Sequence, residues 1–249
     1  MTHKWLKKIS NFFGYKLIEK NLIKNQRSIS NKSFLKIEKL LDKLFENEKI
    51  ILIQVGANDG KRFDLLNFYI KKYKCKSLLV EPIKENFEQL KANYKGHDFI
   101  IFENSAISTN NEIQKLYKVA PKHIKNYSDH IPGITSFNKK HLIKHGVKNK
   151  HIITENVSSI KISQLIKKYS FDSFQLLYVD AEGYDGNIVI DFLLSTRIRP
   201  IIILEYIHIA NATFTSLINL LEKNNYIFFT INENLICYPS SYKELIQFN

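Results

Sequence analysis

An apolar run, Ile50-Ile51-Leu52-Ile53-Gln54-Val55, stops at the small-residue loop Gly56-Ala57-Asn58-Asp59-Gly60. About one helix later a second run, Leu78-Leu79-Val80, ends on Glu81-Pro82. Strand, tight loop, amphipathic segment, strand and carboxylate is the order of a βαβ unit. In an open α/β sheet that order places the loop and the acid together at the carboxyl edge, where nucleoside-containing cofactors bind.

The rest of the chain continues the alternation. Strand-like runs fall near Ile50–Val55, Leu78–Glu81, Phe99–Glu103, Leu176–Asp180, Ile201–Glu205 and Tyr226–Ile231. Helical stripes lie between most of them: Phe63, Leu66, Ile70 and Tyr73; Phe87, Leu90 and Tyr94; Ile162, Leu165, Ile166 and Tyr169. Strands that are apolar almost throughout are buried on both faces. The expected fold is therefore α/β, a mostly parallel sheet with helices on both faces. A last run, Leu235–Tyr238, follows Asn232-Glu233-Asn234 closely enough to be a hairpin partner and supplies an antiparallel edge strand. Residues 49–249 form one domain on this reading, and residues 1–48 a helical extension in front of it. Within the extension, Phe34, Ile37, Leu41 and Leu44 mark a helix capped by Ser33. The rhythm breaks between about residues 104 and 174, with Pro121, Pro132, Gly133 and four histidines from His123 to His145. An interruption of that length inside a regular α/β pattern is expected to be a lid or a recognition insert rather than decoration.

The chain has 249 residues and a formal net charge of +13, which favours anionic partners such as nucleic acid, anionic lipid or acidic glycans. Lys, Asn and Ile are abundant together throughout, so part of that charge is compositional. Two distant cysteines, Cys75 and Cys237, make no disulfide framework and suit a reducing compartment. A cytoplasmic location is expected. At the N-terminus Trp5, Leu6, Ile9, Phe12, Phe13, Leu17, Ile18, Leu22 and Ile23 recur at near-helical spacing among lysines. This stretch lacks the uninterrupted apolar centre and the cleavage site of a signal peptide. It reads first as a helix packed on the domain. Peripheral contact of residues 1–24 with anionic membrane is the alternative.

Two clusters carry chemistry. In the first, Gly56 lets a ligand approach the backbone, while Asn58 and Asp59 can cap the helix that follows. The spacing is neither Gly-x-Gly-x-x-Gly nor a P-loop, and Asp59 would repel a pyrophosphate. A nucleoside with no phosphate fits better, and S-adenosyl-L-methionine, with its sulfonium and ammonium, is such a molecule. Glu81 is placed to accept both ribose hydroxyls. The second cluster is Tyr178-Val179-Asp180-Ala181-Glu182-Gly183-Tyr184-Asp185. Acids this close can raise one another toward the range of a general base, or hold a divalent cation. Asp185 is equally well explained as a charge at a helix N-terminus. Glu205 ends the next strand, and His208 follows it.

Together Val55-Gly56-Ala57-Asn58-Asp59-Gly60, Glu81-Pro82, Asn104-Ser105-Ala106-Ile107-Ser108 and Val179-Asp180-Ala181-Glu182-Gly183-Tyr184-Asp185 resemble the FkbM family in order and spacing. That family comprises Rossmann-like class I S-adenosylmethionine-dependent methyltransferases, many of which act on hydroxyls of sugars or natural products. The resemblance runs from about Ile50 to Tyr238, and Gly133-Ile134-Thr135-Ser136 resembles the family's small-residue motif in the insert. It implies Gly56, Asn58 and Gly60 at the methionine end, with Asp59 in the same loop. It also implies Glu81 at the ribose, Ser105 and Ala106 near adenine, and Asp180 beside the sulfonium. Ala181 stands where the family usually has Val, and Asp185 where it usually has Glu.

The expected activity is methyl transfer to a hydroxyl of a small-molecule or glycan acceptor, with Asp180 or Glu182 as base and Glu205 and His208 as lesser candidates. A divalent metal is left open. The rivals are a nucleic-acid methyltransferase, which the charge suggests, and a non-catalytic cofactor-binding or membrane-associated protein. Against the first, strand Leu176–Asp180 runs into Ala181-Glu182 with no Asp/Asn-Pro-Pro-aromatic sequence, and no Pro-Cys pair is present. Nucleic acid is not an expected partner.

Overall fold

The computed structural model describes residues 36–128 and 131–243. The apolar stripe of residues 1–24, the cap at Ser33, Phe34 and His130 lie outside the described residues.

The sheet is built from the expected runs: β1 (Leu52–Val55), β2 (Ser77–Val80), β3 (Ile100–Glu103), β8 (Leu176–Val179), β9 (Ile201–Glu205), β10 (Tyr226–Ile231) and β11 (Asn234–Pro239). Their spatial order is β10-β11-β9-β8-β1-β2-β3. β1 pairs in parallel with both β2 and β8, Gln54 lying level with Leu79 on one side and Tyr178 on the other. The antiparallel edge is a hairpin, and its reversed member β11 is inserted between β9 and β10, one strand in from the edge. Insertion lets the last strand satisfy hydrogen bonds on both sides, which a true edge strand cannot do.

Period-2 alternation decides which helices cover which face. Ile53, Val55, Leu78, Val80, Leu177, Val179, Ile202 and Leu204 point to one core. There they meet α5 (Ile162–Lys168), α6 (Asp185–Ser195) and α7 (Asn211–Lys223). Leu52, Leu79, Leu176, Tyr178, Ile201 and Ile203 point to the other core. Its cover is α1 (Ile37–Asn47), α2 (Asn67–Tyr73) and α3 (Lys84–Asn93). Both faces are covered, as the all-apolar strands require. Phe63, read as the first residue of a helical stripe, lies instead in the preceding turn, exposed and with φ +58°. α2 starts only after Asp64 turns the chain by accepting the Leu66 N–H.

The chain lays β1, β2 and β3 down in one direction and then returns to place β8 and β9 on the other side of β1. The loops after β1 and β8 therefore diverge and open a crevice at their carboxyl ends. The interruption spans that gap. β4 (Ala106–Ile107) pairs with β7 (Ser159–Ile160), and β5 (Gln114–Val119) with β6 (Ile152–Val157). A short helix, α4 (Lys139–Lys144), is capped by the Asn138 side chain, which accepts the Lys140 N–H. Val119, Ile131, Ile134, Leu142 and Val147 give this region a small core of its own. Its last helix, α5, packs into the main core instead. Among the described residues no helix is long and apolar enough to cross a membrane.

Candidate active site

The loop after β1 is tied to both neighbouring strands. Gly56 and Ala57 N–H donate to the Val80 carbonyl, and the Val55 carbonyl accepts from Asp180 N–H. A Cβ on Gly56 would stand 1.8 Å from the Asp180 carbonyl oxygen, and its φ is +81°. Glycine is needed here because β1 and β8 diverge from this point with no room for a side chain between them.

Glu81, at the end of β2, is buried and fixed by backbone: Asn58 N–H donates to Oε2 at 3.0 Å, and Ile83 N–H to Oε1 at 2.8 Å. One carboxylate thus joins the β1 and β2 loops while still lining the crevice. Burial pushes its pKa up to about 7 against the pull of those two amides. Asn104 holds the same turn from the next strand, donating to the Glu81 and Pro82 carbonyls at 2.8 and 3.1 Å.

These residues border a cavity of about 450 Å³, ordinary in size for a small-molecule site. Gly56, Asn58, Glu81, Ser105, Ala106, Asp180, Glu182, Glu205 and His208 all line it. Asp59 and Gly60, expected beside the cofactor, do not. Asp59 faces away, accepting Lys61 and Arg62 N–H and pairing with Arg62 Nε at 2.6 Å. Burial would raise its pKa, but those bonds hold it below the usual carboxylate range. Gly60 (φ +65°) is packed against α3, where a Cβ would meet Leu90 Cδ1 at 2.4 Å and the Tyr94 ring at 2.8 Å. Both residues shape the loop from behind.

Beyond β8 the acids crowd. Asp185 is wholly buried and accepts Ala181 N–H at 2.8 Å and Gly183 N–H at 2.9 Å. It braces the turn rather than facing the cavity, and burial lifts its pKa to about 8. That turn carries Glu182 in the left-handed region at φ +50°. Burial and then the charge of Glu182 raise Asp180 to about 7; burial followed by Glu233 raises Glu182 to about 7. Glu205 reaches about 9, from burial and then its acidic neighbours, led by Asp180.

The insert closes over this end. Tyr117 and Ser136 exchange backbone hydrogen bonds, and Ser136 Oγ donates to the Glu182 carbonyl at 3.0 Å. Gly133 lies close enough to Asn58 that a Cβ would touch its Nδ2 at 3.0 Å. Hence Gly133-Ile134-Thr135-Ser136 forms part of the cavity wall. From α4, His141 Nε2 lies 2.9 Å from Glu182 Oε2. Burial, and then the charge of Lys144, lowers the His141 pKa. A raised acid and a lowered imidazole weaken the ionic character of that contact and leave it chiefly a hydrogen bond. His208 Nε2 stands 3.6 Å from Glu205 Oε1.

The sequence reading missed Gln54, Asp64, Glu233, His141 and His145. Gln54 Nε2 donates to Asp64 Oδ1 at 3.1 Å, and both side chains line the cavity. A polar residue inside an otherwise apolar strand was the available signal for Gln54. For the two histidines it was their separation by one helical turn.

The sequence matches the methyltransferase FkbM domain over residues 54–228. The chain belongs to the FkbM methyltransferase family. Among curated proteins none matches it. The crystal structure of methyltransferase FkbM from Methylobacillus flagellatus KT is 11% identical, covers 76% of this chain and 44% of that one, and superposes with a TM-score of 0.44. For the METTL16 methyltransferase domain the values are 11%, 83% and 67%, with a TM-score of 0.45. Precorrin-6y C5,15-methyltransferase from Geobacter metallireducens GS-15 gives 10%, 86% and 93%, with 0.39. This chain spans less than half of the M. flagellatus protein, and likenesses this remote say nothing of substrate.

Proposed function

We propose that the chain is an S-adenosyl-L-methionine-dependent methyltransferase that acts on a hydroxyl of a small-molecule or glycan acceptor. One observation carries the reading. Gln54 Oε1, Asp64 Oδ2 and Glu205 Oε2 are buried without a hydrogen-bond partner, and all three side chains line the cavity. Gln54 Oε1 and Asp64 Oδ2 are acceptors that lack a donor, and the Glu205 carboxyl, raised to about 9, has no partner at Oε2. A buried orphan of this kind costs about 1–3 kcal/mol until it is satisfied, so the wall favours a ligand rich in N–H and O–H groups and positive charge.

S-adenosyl-L-methionine fits that wall. Gln54, Asp64 and the Gly56 loop would hold its ammonium, and Glu81 its ribose hydroxyls. Ser105, Ala106 and Ile107, with Leu116 and Phe137 in the same lining, would offer adenine a mostly apolar wall. When bound, the cofactor supplies an activated methyl group. The protein has to align donor and acceptor and take one proton from the acceptor oxygen. Asp180 and Glu182, both near 7, form the pair suited to accept that proton at neutral pH. Glu205, higher still, keeps its proton and donates to the acceptor or its neighbours.

The same acidic wall disfavours nucleic acid despite the net charge of +13, because Asp180, Glu182 and Glu233 border the cavity and their ionised forms repel phosphate. Titration calorimetry of the full chain with S-adenosyl-L-methionine and with NAD tests the cofactor: saturable binding of the first alone is expected, and its absence defeats the reading. A methyl-transfer screen across sugar nucleotides and glycans, set beside RNA and DNA, tests the acceptor.

A further inference from the structure

Three histidines gather where the insert meets the acidic end of the cavity. His141, His145 and His208 each bring a ring nitrogen to within 4.8 Å of the others. Their ring centroids stand 4.6, 4.6 and 4.8 Å apart. Glu182, Glu205 and His208 converge within the same limit through two carboxylate oxygens and one nitrogen. The two triads share His208, and the 2.9 Å contact between His141 Nε2 and Glu182 Oε2 joins them. Three separate stretches of chain meet here: α4 with its C-terminal cap, the turn after β8 and the turn after β9. His141 and His145 are four residues apart across α4, the spacing that puts two imidazoles on one helix face for a common metal.

We propose that this cluster is a divalent-metal site, in which one first-row transition-metal ion is held by the imidazoles of His141, His145 and His208 and the carboxylates of Glu182 and Glu205. Metal–nitrogen and metal–oxygen bonds of about 2.0–2.2 Å place ligand atoms around one ion roughly 3–4 Å apart. The contacts of 2.9 and 3.6 Å already fall near that range. The donor set selects the ion class. Calcium and magnesium take oxygen ligands, whereas imidazoles mixed with carboxylates suit manganese, iron, cobalt or zinc.

His145, His208, Glu182 and Glu205 also line the cavity. An acceptor hydroxyl in that cavity can therefore fill an open coordination position, where a divalent cation fixes the oxygen and eases loss of its proton. This role rests on the methyl-transfer reading; the metal site does not.

The test is a cobalt titration of the chelator-stripped 249-residue chain, followed by visible absorption, with S-adenosyl-L-methionine binding measured in parallel. Saturable uptake of a single Co2+ is expected, reversed by Zn2+ and weakened at least tenfold in His145→Ala and His208→Ala. Both variants should still bind S-adenosyl-L-methionine, which shows that they are folded. Glu182→Gln should weaken the cobalt affinity by a smaller factor. Cobalt binding in a wild-type protein that ignores S-adenosyl-L-methionine upholds the metal site and defeats the methyl-transfer reading instead. The metal proposal is overturned if wild type takes up no cobalt, or if both variants bind it as wild type does. Loss of the signal on His123→Ala alone also overturns it, because it assigns the ion to the stacked His123–His151 pair, whose rings lie 3.8 Å apart.

Discussion

The cavity has two halves built by different means. On the β1–β2 side the carboxylates are held by main chain: Glu81 by the Asn58 and Ile83 amides, Asp64 by the Leu66 amide, and Asp59, behind the wall, by the amides of Lys61 and Arg62. On the β8–β9 side side chains face side chains, with Glu182 against His141 and Glu205 against His208. Main-chain anchors are set once the fold forms, so the first half is rigid and suited to a constant ligand. Clustered titratable groups respond to charge, and they suit a half where a proton must move.

The hinge between the halves is Gly56, and the largest effect belongs there. Gly56→Ala puts a Cβ against the Asp180 carbonyl, backbone on backbone, at a positive φ. Neither strand can yield without breaking β1–β8 pairing, so a loss of about 3 kcal/mol or more is expected. Urea denaturation should show it, together with loss of S-adenosyl-L-methionine binding. Gly60→Ala sharpens the contrast. Its new Cβ meets side chains rather than backbone, Leu90 Cδ1 and the buried Tyr94 ring edge, at φ +65°, so about 1–3 kcal/mol should go while cofactor affinity stays within a few-fold of wild type.

Asp180→Asn comes next. It removes the base without removing bulk, and kcat should fall by roughly 10²–10⁴ while the cofactor Kd moves far less. Equal loss in kcat and in cofactor affinity would show that Asp180 serves the donor half alone.

These two halves also explain what the sequence made legible. The β1 loop, Glu81 and the acids after β8 are each local patterns: an apolar run that ends on a small or acidic residue at a strand terminus. All of them reached the expected edge of the sheet. That Asp59 and Gly60 fall behind the cavity wall was not legible, because one-dimensional spacing does not show which side of a loop faces the crevice; bonds to Lys61 and Arg62 hold the buried Asp59 carboxylate there. His141 and His145 were visible as residues in the insert, but their partners Glu182, Glu205 and His208 lie 37 or more residues away. Only the folded insert shows that they belong to the acidic edge. The place of β11 between β9 and β10 was hidden for the same reason, since strand order beyond adjacent pairs is set by tertiary packing.

Glu81 offers a test in which stability and binding run in opposite directions with pH. Its folded pKa near 7 is raised by burial above the ordinary 4.5, so the folded state favours the protonated acid. That contribution is complete below about pH 4.5 and is lost as pH rises toward 7, on the order of 3 kcal/mol in all. Ribose hydroxyls need the ionised form, so cofactor affinity should rise over the same interval. Melting curves and calorimetry from pH 5 to 8 should show both slopes in wild type and neither, relative to it, in Glu81→Gln. Parallel slopes in the two proteins would remove Glu81 from the ribose contact.

The smallest effect is predicted at Asp59, where the sequence pointed to a ligand contact and the structure shows a brace. Asp59→Asn removes a charge pair whose Arg62 partner is largely exposed, 64% against 5% for the acid. Such a pair contributes about 1 kcal/mol or less. The asparagine oxygen can still accept the Lys61 and Arg62 amides, so the loop should keep its course and the cofactor Kd should hold within two- to three-fold by calorimetry. A tenfold weakening would mean that the charge itself reaches the bound cation through the loop, and the main-chain half would then depend on electrostatics as much as the acidic half does.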